Sequence, residues 1–485
     1  MLPSPRTPLL SCLAVALLLA GCDDPPAPAA DPPESPEENT DLASRYREPV
    51  AQIVEASGEA EFAWEWLRHL CVDVGHRLSG SESLERAIAW AAEELEGIEG
   101  ARVSLQEVEV PKWVRGEESL VLLGAEEETL PMIGLGGSVG TPEEGVQGEV
   151  VVLGSVEEID SFGDQLRGRI VLLDKPMPPY DPEELETGYG ATVPIRTRGA
   201  AHAATHGALA VLVRSVTTDA ASPPHTGATR YEDEGPRIPA AAVSIPVAER
   251  LHQMVDDGAR PRVRLQMQAR DEGITTSHNV IAEIRGTELP DEIVVFGGHM
   301  DSWDVGQGCH DDGAGVVSAM AALRLLKETN LVPRRTIRAV LYTNEENGLG
   351  GSRAYAEERW DDGLHVAAIE SDIGAARVIG LQVDTEDLRE AEAVAQIQAI
   401  ATLLEPTGVR IARPGFGGAD IMALQERGTP AVGVLHDPAH YFDLHHTAAD
   451  TFEAVDRDDF LQGVAVMAAT VHVLGDMEPR LGNPR

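Results

Sequence analysis

From residue 278 onward the chain alternates short apolar runs with longer segments of helical periodicity, and no other feature constrains its fold as strongly. Runs at 278–285, 292–297, 336–343, 366–370 and 431–435 read as strands, and segments at 313–328, 389–404, 418–427 and 457–475 read as helices. Alternation of this kind requires a largely parallel sheet covered by helices on both faces, so the predicted fold class is α/β. Ligands of such sheets collect at the carboxyl ends of the strands.

The 485 residues are too many for one ordinary core and suit two or three domains of roughly 100–200 residues each. The spacing of Leu42, Tyr46, Val50 and Ile53 predicts a helix from about 41. Further helices are expected at 61–71 and 82–97, ahead of a strand at 102–110. Between 116 and 274 the texture changes to short β-rich runs such as SLVLL, EVVVL, RIVLL and LAVLV, separated by Gly, Pro and acidic turns. Within it, RGAAHAATHGALAVLVRS reads as a small helix feeding a strand. The block has the look of a domain inserted between 41–115 and 275–485.

Ahead of these regions, MLPSPRTPLLSCLAVALLLAGC carries one early positive charge at Arg6, an apolar run from Leu9 to Ala20 and small residues before Cys22. It reads as an export signal, too short for a spanning helix, which needs about 20 apolar residues. Leu19-Ala20-Gly21-Cys22 looks like a bacterial lipobox, which makes Cys22 the expected lipidation site and leaves an exported, membrane-anchored protein of the periplasm or cell envelope. Residues 23–40 are rich in proline and acid and are expected to form an extended tether. The four cysteines, at 12, 22, 71 and 309, show no paired spacing and argue against a disulfide framework. A formal charge of -43 opposes binding to nucleic acid or to an anionic membrane surface, leaving the lipid as the expected contact with a membrane.

The chemistry gathers where strands stop. EIVVFGGH ends in His299, IRAVLYTNEE ends in Glu345 and Glu346, and VAAIESD ends in Asp372. The glycine-rich loop GGHMDSWDVGQGCHDDGAG adds Asp311 and Asp312, and YFDLHHTAADT adds His445 or His446. Taken singly, each acidic pair in so acidic a chain is more often a solvated surface pair than a ligand. Together they place carboxylates and imidazoles at one sheet edge, where close carboxylates repel unless cations neutralise them. Hard oxygen and imidazole donors without thiolate suit zinc or a similar divalent ion at a catalytic site.

GHMDSWDVGQGCHDDGAG, TNEENGLGG, IESDIG, GGADI and YFDLHHTAADT resemble, in order and spacing, the di-zinc exopeptidases that include bacterial aminopeptidases and glutamate carboxypeptidases, and within them the carboxypeptidase Q-like branch. The resemblance runs from about residue 41 to the C terminus, and GAAHAATHGALAVLVRSV and SPPHTG look like that family's protease-associated domain. It implies two zinc ions per subunit, with His299 and Asp372 on one, Glu346 and His446 on the other, and Asp311 bridging. It also implies Glu345 as general base, Asp301 as the carboxylate that hydrogen-bonds the far nitrogen of His299, and a cis bond between Asp311 and Asp312. Within the HH pair His446 fits better than His445, although sequence alone permits a swap. The substrate implied is a dipeptide or short peptide, and relatives pair as homodimers.

Cys309 and His310 depart from the small or apolar residues expected before the bridging aspartate; they read as loop residues, with an extra ligand or substrate contact as the alternative. Trp303 and Tyr441 flank the site in sequence and serve either as pocket lining or as packing. Two other functions share such a scaffold: a glutaminyl-cyclase-like transferase, which binds a single zinc, and a receptor-like binding protein whose site has decayed. A complete double ligand set argues against both.

Overall fold

The long strand β1 (Arg102–Val114) leads out of one sheet and into another. There the chain forms β2 (Glu118–Leu123), β3 (Glu128–Leu130), β4 (Met132–Gly134), β5 (Val146–Leu153), β6 (Ile170–Leu173), β7 (Ala210–Arg214), β8 (Ala240–Val243) and β9 (Arg262–Met267). It returns along β10 (Arg270–Ile284), antiparallel to β1, and completes the first sheet with β11 (Leu289–His299), β12 (Arg335–Tyr342), β13 (Leu364–Glu370), β14 (Val378–Asp384), β15 (Ile411–Pro414) and β16 (Ala431–His436). The computed structural model describes residues 37–483, and residues Asn39–Arg485 form one compact unit. The export signal, Cys22 and most of the expected tether lie outside the described residues.

The first sheet has the order β1-β10-β12-β11-β13-β16-β14-β15. Its centre, β12-β11-β13-β16, is parallel, whereas β10 pairs antiparallel with both β1 and β12, and β14 antiparallel with β16. The α/β expectation holds with a parallel centre and antiparallel flanks. The strands β14 and β15 escaped the sequence reading because β14 is interrupted by Gly380 and Gln382 and β15 is short and only partly buried. The second sheet, β3-β2-β9-β5-β6-β7-β8-β4, is likewise mixed and carries helices at Val156–Phe162, Pro194–Thr205 and Ile245–Asp256.

Burial explains which elements form. The helix Ala314–Glu328 is buried at every position from Ala314 to Leu323, because it lies between the first sheet and the helix Arg457–Asp476. Its alanines and glycine allow that close approach, and its charged residues are confined to the C-terminal half, where Arg324 stacks over Phe62 at 3.9 Å. Asp456 caps the second helix by accepting the N–H groups of Asp458 and Asp459. Two expected boundaries shift. The first helix starts at Glu37, inside the expected tether, and the helix expected at 418–427 shrinks to Met422–Gln425 because the chain there is occupied in a loop against Glu370.

Candidate metal centre

Strand register brings the first ligands together. Gly297 of β11 lies opposite Glu370 of β13, so Asp372, two residues past Glu370, arrives level with His299, the last residue of β11. His299 itself lies opposite Tyr342 at the end of β12, so Glu345 and Glu346 follow just beyond the sheet edge. Asp311 comes from the tight turn Cys309–Gly313 that opens the helix Ala314–Glu328, and its bond to Asp312 is cis. His445 and His446 follow the one-turn helix Tyr441–Leu444.

The side chains converge on Asp311. One of its oxygens, Oδ1, lies 3.3 Å from His299 Nε2, which is also 3.3 Å from Asp372 Oδ1. The other, Oδ2, lies 3.3 Å from His446 Nε2, and that nitrogen is 3.1 Å from Glu346 Oε2. His445 stacks on His446 with ring centroids 3.5 Å apart, but its Nε2 is farther from Asp311, at 3.8 Å. Both histidines group with Asp311 as potential metal donors, and His299, Asp311 and Asp372 form a second such group. The geometry therefore favours His446, without removing His445 from reach.

Charge is concentrated here with little water. Burial pushes the Glu346 carboxyl up to about 7, with Asp311 adding to the effect and His446 opposing it. Burial works against a charge on His446, but Glu346 and Asp311 outweigh it and hold the ring up at about 10. Burial likewise raises Glu345 well above the usual carboxyl range, opposed by His299 and reinforced by Glu346. Asp311 goes the other way: burial is overcome by the facing His299 and His446 rings, which hold its carboxyl well below the usual range. Glu345 is partly exposed while Glu346 is buried, so the adjacent glutamates already occupy different environments.

The supporting residues are as informative as the donors. Asp450 accepts N–H groups from Cys309, His310 and Asp311, at 3.0, 2.8 and 3.2 Å, and so fixes the turn that presents Asp311. Asp312 accepts from the N–H of His299 and from that of Gly315, both at 3.1 Å, tying the end of β11 to the start of the following helix. Glycine is required on both sides of that tie: a Cβ on Gly298 falls 2.0 Å from Asp312 Oδ2, and one on Gly315 falls 1.9 Å from Ser371 O. The sequence reading did not assign Asp450 a role, although it lies in the quoted YFDLHHTAADT string.

Asp301 departs from its expected role. His299 Nδ1 sits 2.9 Å from the main-chain carbonyl of Asp301 and 3.9 Å from its carboxylate, so the carbonyl is the hydrogen-bond acceptor. The carboxylate instead accepts the N–H of Glu345 at 3.0 Å. The two-residue step from His299 to Asp301 turns the backbone inward, which a motif alone does not reveal. Cys309 packs in the core with Cys71, and His310 Nδ1 accepts the N–H of Ala375, so neither stands among the donors. Trp303 packs onto Gly136 of the second-sheet region, where a Cβ would lie 1.9 Å from its ring. Tyr441 borders a cavity of about 180 Å³ beside the site, with His310, Ile373 and Leu444.

The donor set fits a pair of divalent cations. Asp311 Oδ2, Glu346 Oε1 and Asp372 Oδ1 are buried and accept no hydrogen bond, although unpaired buried carboxylate oxygens are costly. Divalent cations held by these residues would satisfy them.

The sequence pattern of peptidase family M28 matches residues 279–471. Carboxypeptidase Q of Xenopus laevis is 36% identical over 442 residues, covering 90% of this chain and 92% of the relative. Carboxypeptidase Q of Homo sapiens is 37% identical over 420 residues, covering 86% of each. Among solved structures, a peptidase M28 precursor from Shewanella amazonensis aligns with a TM-score of 0.85 and 34% identity over 91% of this chain and 99% of that one. An aminopeptidase from an Aneurinibacillus strain shares the fold at 20% identity and a TM-score of 0.63, covering 89% of this chain and 97% of its own.

Proposed function

This chain belongs to peptidase family M28, and on that premise we propose that its zinc-metallopeptidase centre removes single residues from unblocked dipeptides or other short peptides. The observation that carries the reading is the double engagement of Asp311, one oxygen facing His299 and the other His446, amid buried carboxylate oxygens that lack donors. His299 and Asp372 would hold one zinc, Glu346 and His446 the other, and Asp311 would serve both.

When bound, the zinc pair supplies Lewis acidity toward the scissile carbonyl and makes a water at the site easier to deprotonate. Glu345 takes the proton from the attacking water and delivers it to the amine nitrogen as the C–N bond breaks, acting first as base and then as acid. Burial raises its affinity for a proton, and neighbouring cations would lower it. Asp301 fixes the backbone of Glu345 through its carboxylate and selects the His299 tautomer through its carbonyl, leaving Nε2 free to face the site.

Likeness to carboxypeptidase Q supports trimming at the carboxyl end. The test compares free dipeptides with their N-acetylated and C-amidated forms: cleavage of free dipeptides that amidation suppresses is expected, and cleavage confined to internal bonds of long peptides overturns the reading. The region 116–274 is proposed as an inserted protease-associated domain. The lipobox supports an anchor at Cys22, so a Cys22→Ala chain should leave the membrane fraction on export. Resemblance to dimeric relatives supports a homodimer, which light scattering measures directly.

No helix among the described residues is long and apolar enough to cross a membrane, so the proposed anchor rests on the lipobox alone.

A further inference from the structure

The two halves of the ligand cluster are held in different ways. His299, at the end of β11, is fixed by segments that follow the same strand, by Asp312 at its N–H and by the Asp301 carbonyl at Nδ1. His446 instead adopts a φ of 63°, in the left-handed region, and besides its stacking on His445 it is held by the second-sheet region. The N–H of Thr226 donates to the His446 carbonyl at 3.0 Å, and the Thr226 carbonyl faces His446 Nδ1 at 3.4 Å. Residue 226 therefore grips the same histidine at its backbone and at its ring.

That grip is itself braced. Arg196, on the helix Pro194–Thr205, is only 6% exposed, and its guanidinium fills the space behind His446. Its Nη1 donates to the Thr226 carbonyl at 3.3 Å and lies 3.2 Å from His446 Nδ1, while Nη2 donates to the Tyr189 hydroxyl at 2.8 Å. Tyr189 in turn stacks on Phe442, with centroids 4.6 Å apart, and meets His445 edge-on at 5.3 Å. Gly227 packs directly on the guanidinium: its φ is +123°, and a Cβ there would lie 2.4 Å from Arg196 Cζ.

From this asymmetry we propose that the second-sheet region is a working part of the metal centre: through Thr226 and Arg196 it holds His446 in place, so that occupancy of the Glu346/His446 position depends on that region being seated, whereas occupancy of the His299/Asp372 position does not. The inference rests on the ligand assignment proposed above. Arg196 and Thr226 are positioning residues, acting through His446. A ligand histidine is competent when its far nitrogen carries the proton and has an acceptor, and the Thr226 carbonyl is that acceptor. Losing such an outer contact costs roughly 10–100-fold in metal affinity.

Zinc titrations of the full-length, chelator-stripped protein, followed by calorimetry and by zinc content after desalting, test this. Wild type, Arg196→Met and Gly227→Val are compared. Gly227→Val displaces the same segment while keeping the Arg196 charge, so it separates the brace from simple charge repulsion. Both variants are expected to bind one zinc as wild type does, within about twofold, and the other at least about tenfold more weakly, with unchanged far-UV circular dichroism. Unchanged or tighter binding of both ions, or an equal loss at both positions, overturns the inference. Failure of the wild type to bind two zinc ions would instead overturn the ligand assignment beneath it.

Discussion

At the scale of single residues, the centre separates donors from their supports, and substitution should tell them apart. His446→Ala removes the nitrogen nearest both Asp311 and Glu346, and is expected to leave one zinc per chain by elemental analysis. His445→Ala removes a stacked neighbour 3.8 Å from Asp311 and should leave two. Equal metal content in the two variants would overturn that assignment. Asp450→Ala strips three N–H groups of their acceptor at once, and should weaken zinc binding about 10–100-fold, read by competition with a chromophoric chelator. The proposed donors were legible in the sequence as polar residues sitting where apolar strands stop. Asp450 and Arg196 were not. Each acts through a contact between segments far apart in the chain, and no local spacing encodes a contact across 140 or 250 residues.

At the scale of elements, the fold places ligands by strand register and by close approach of helix to sheet. The central parallel strands were readable from their apolar runs, and the helices from their period. The antiparallel flanks were not, because direction within a sheet is decided by the connections and by which edge is free. Gly315 shows how tight the junction is. Gly315→Ala should push the helix Ala314–Glu328 off the loop after β13 and cost about 1–3 kcal/mol, the usual range for overpacking. Thermal unfolding of the metal-free protein measures this, and an unaltered midpoint would show that the junction relaxes freely.

At the scale of the whole molecule, the buried acids predict a stability that depends on bound cations. Burial pushes Glu346 up to about 7, aided by Asp311, and burial pushes Glu370 up to about 8, aided by Asp372. The unfolded chain titrates these groups near about 4. A raised folded pKa means full stability below the unfolded value and a loss as pH rises through the folded one. The stripped protein should therefore weaken between about pH 4 and about pH 8. Added zinc should restore about 2.7 kcal/mol per site at a hundredfold excess over its Kd, and at one fixed zinc concentration more at pH 8 than at pH 5. Differential scanning calorimetry at the two pH values tests the sign; a larger zinc effect at pH 5 would contradict it. The overall acidity was plain in the sequence, but its focus beneath one sheet edge emerges only once four strands are aligned.

The proposed division of labour has Glu345 move the proton while its neighbour Glu346 holds metal. The most direct measurement is zinc content together with turnover of free dipeptides, for full-length wild type and Glu345→Gln side by side. Two zinc ions are expected in both proteins, with a fall in kcat of about 10²–10⁴-fold in the variant. Full turnover by Glu345→Gln would contradict it.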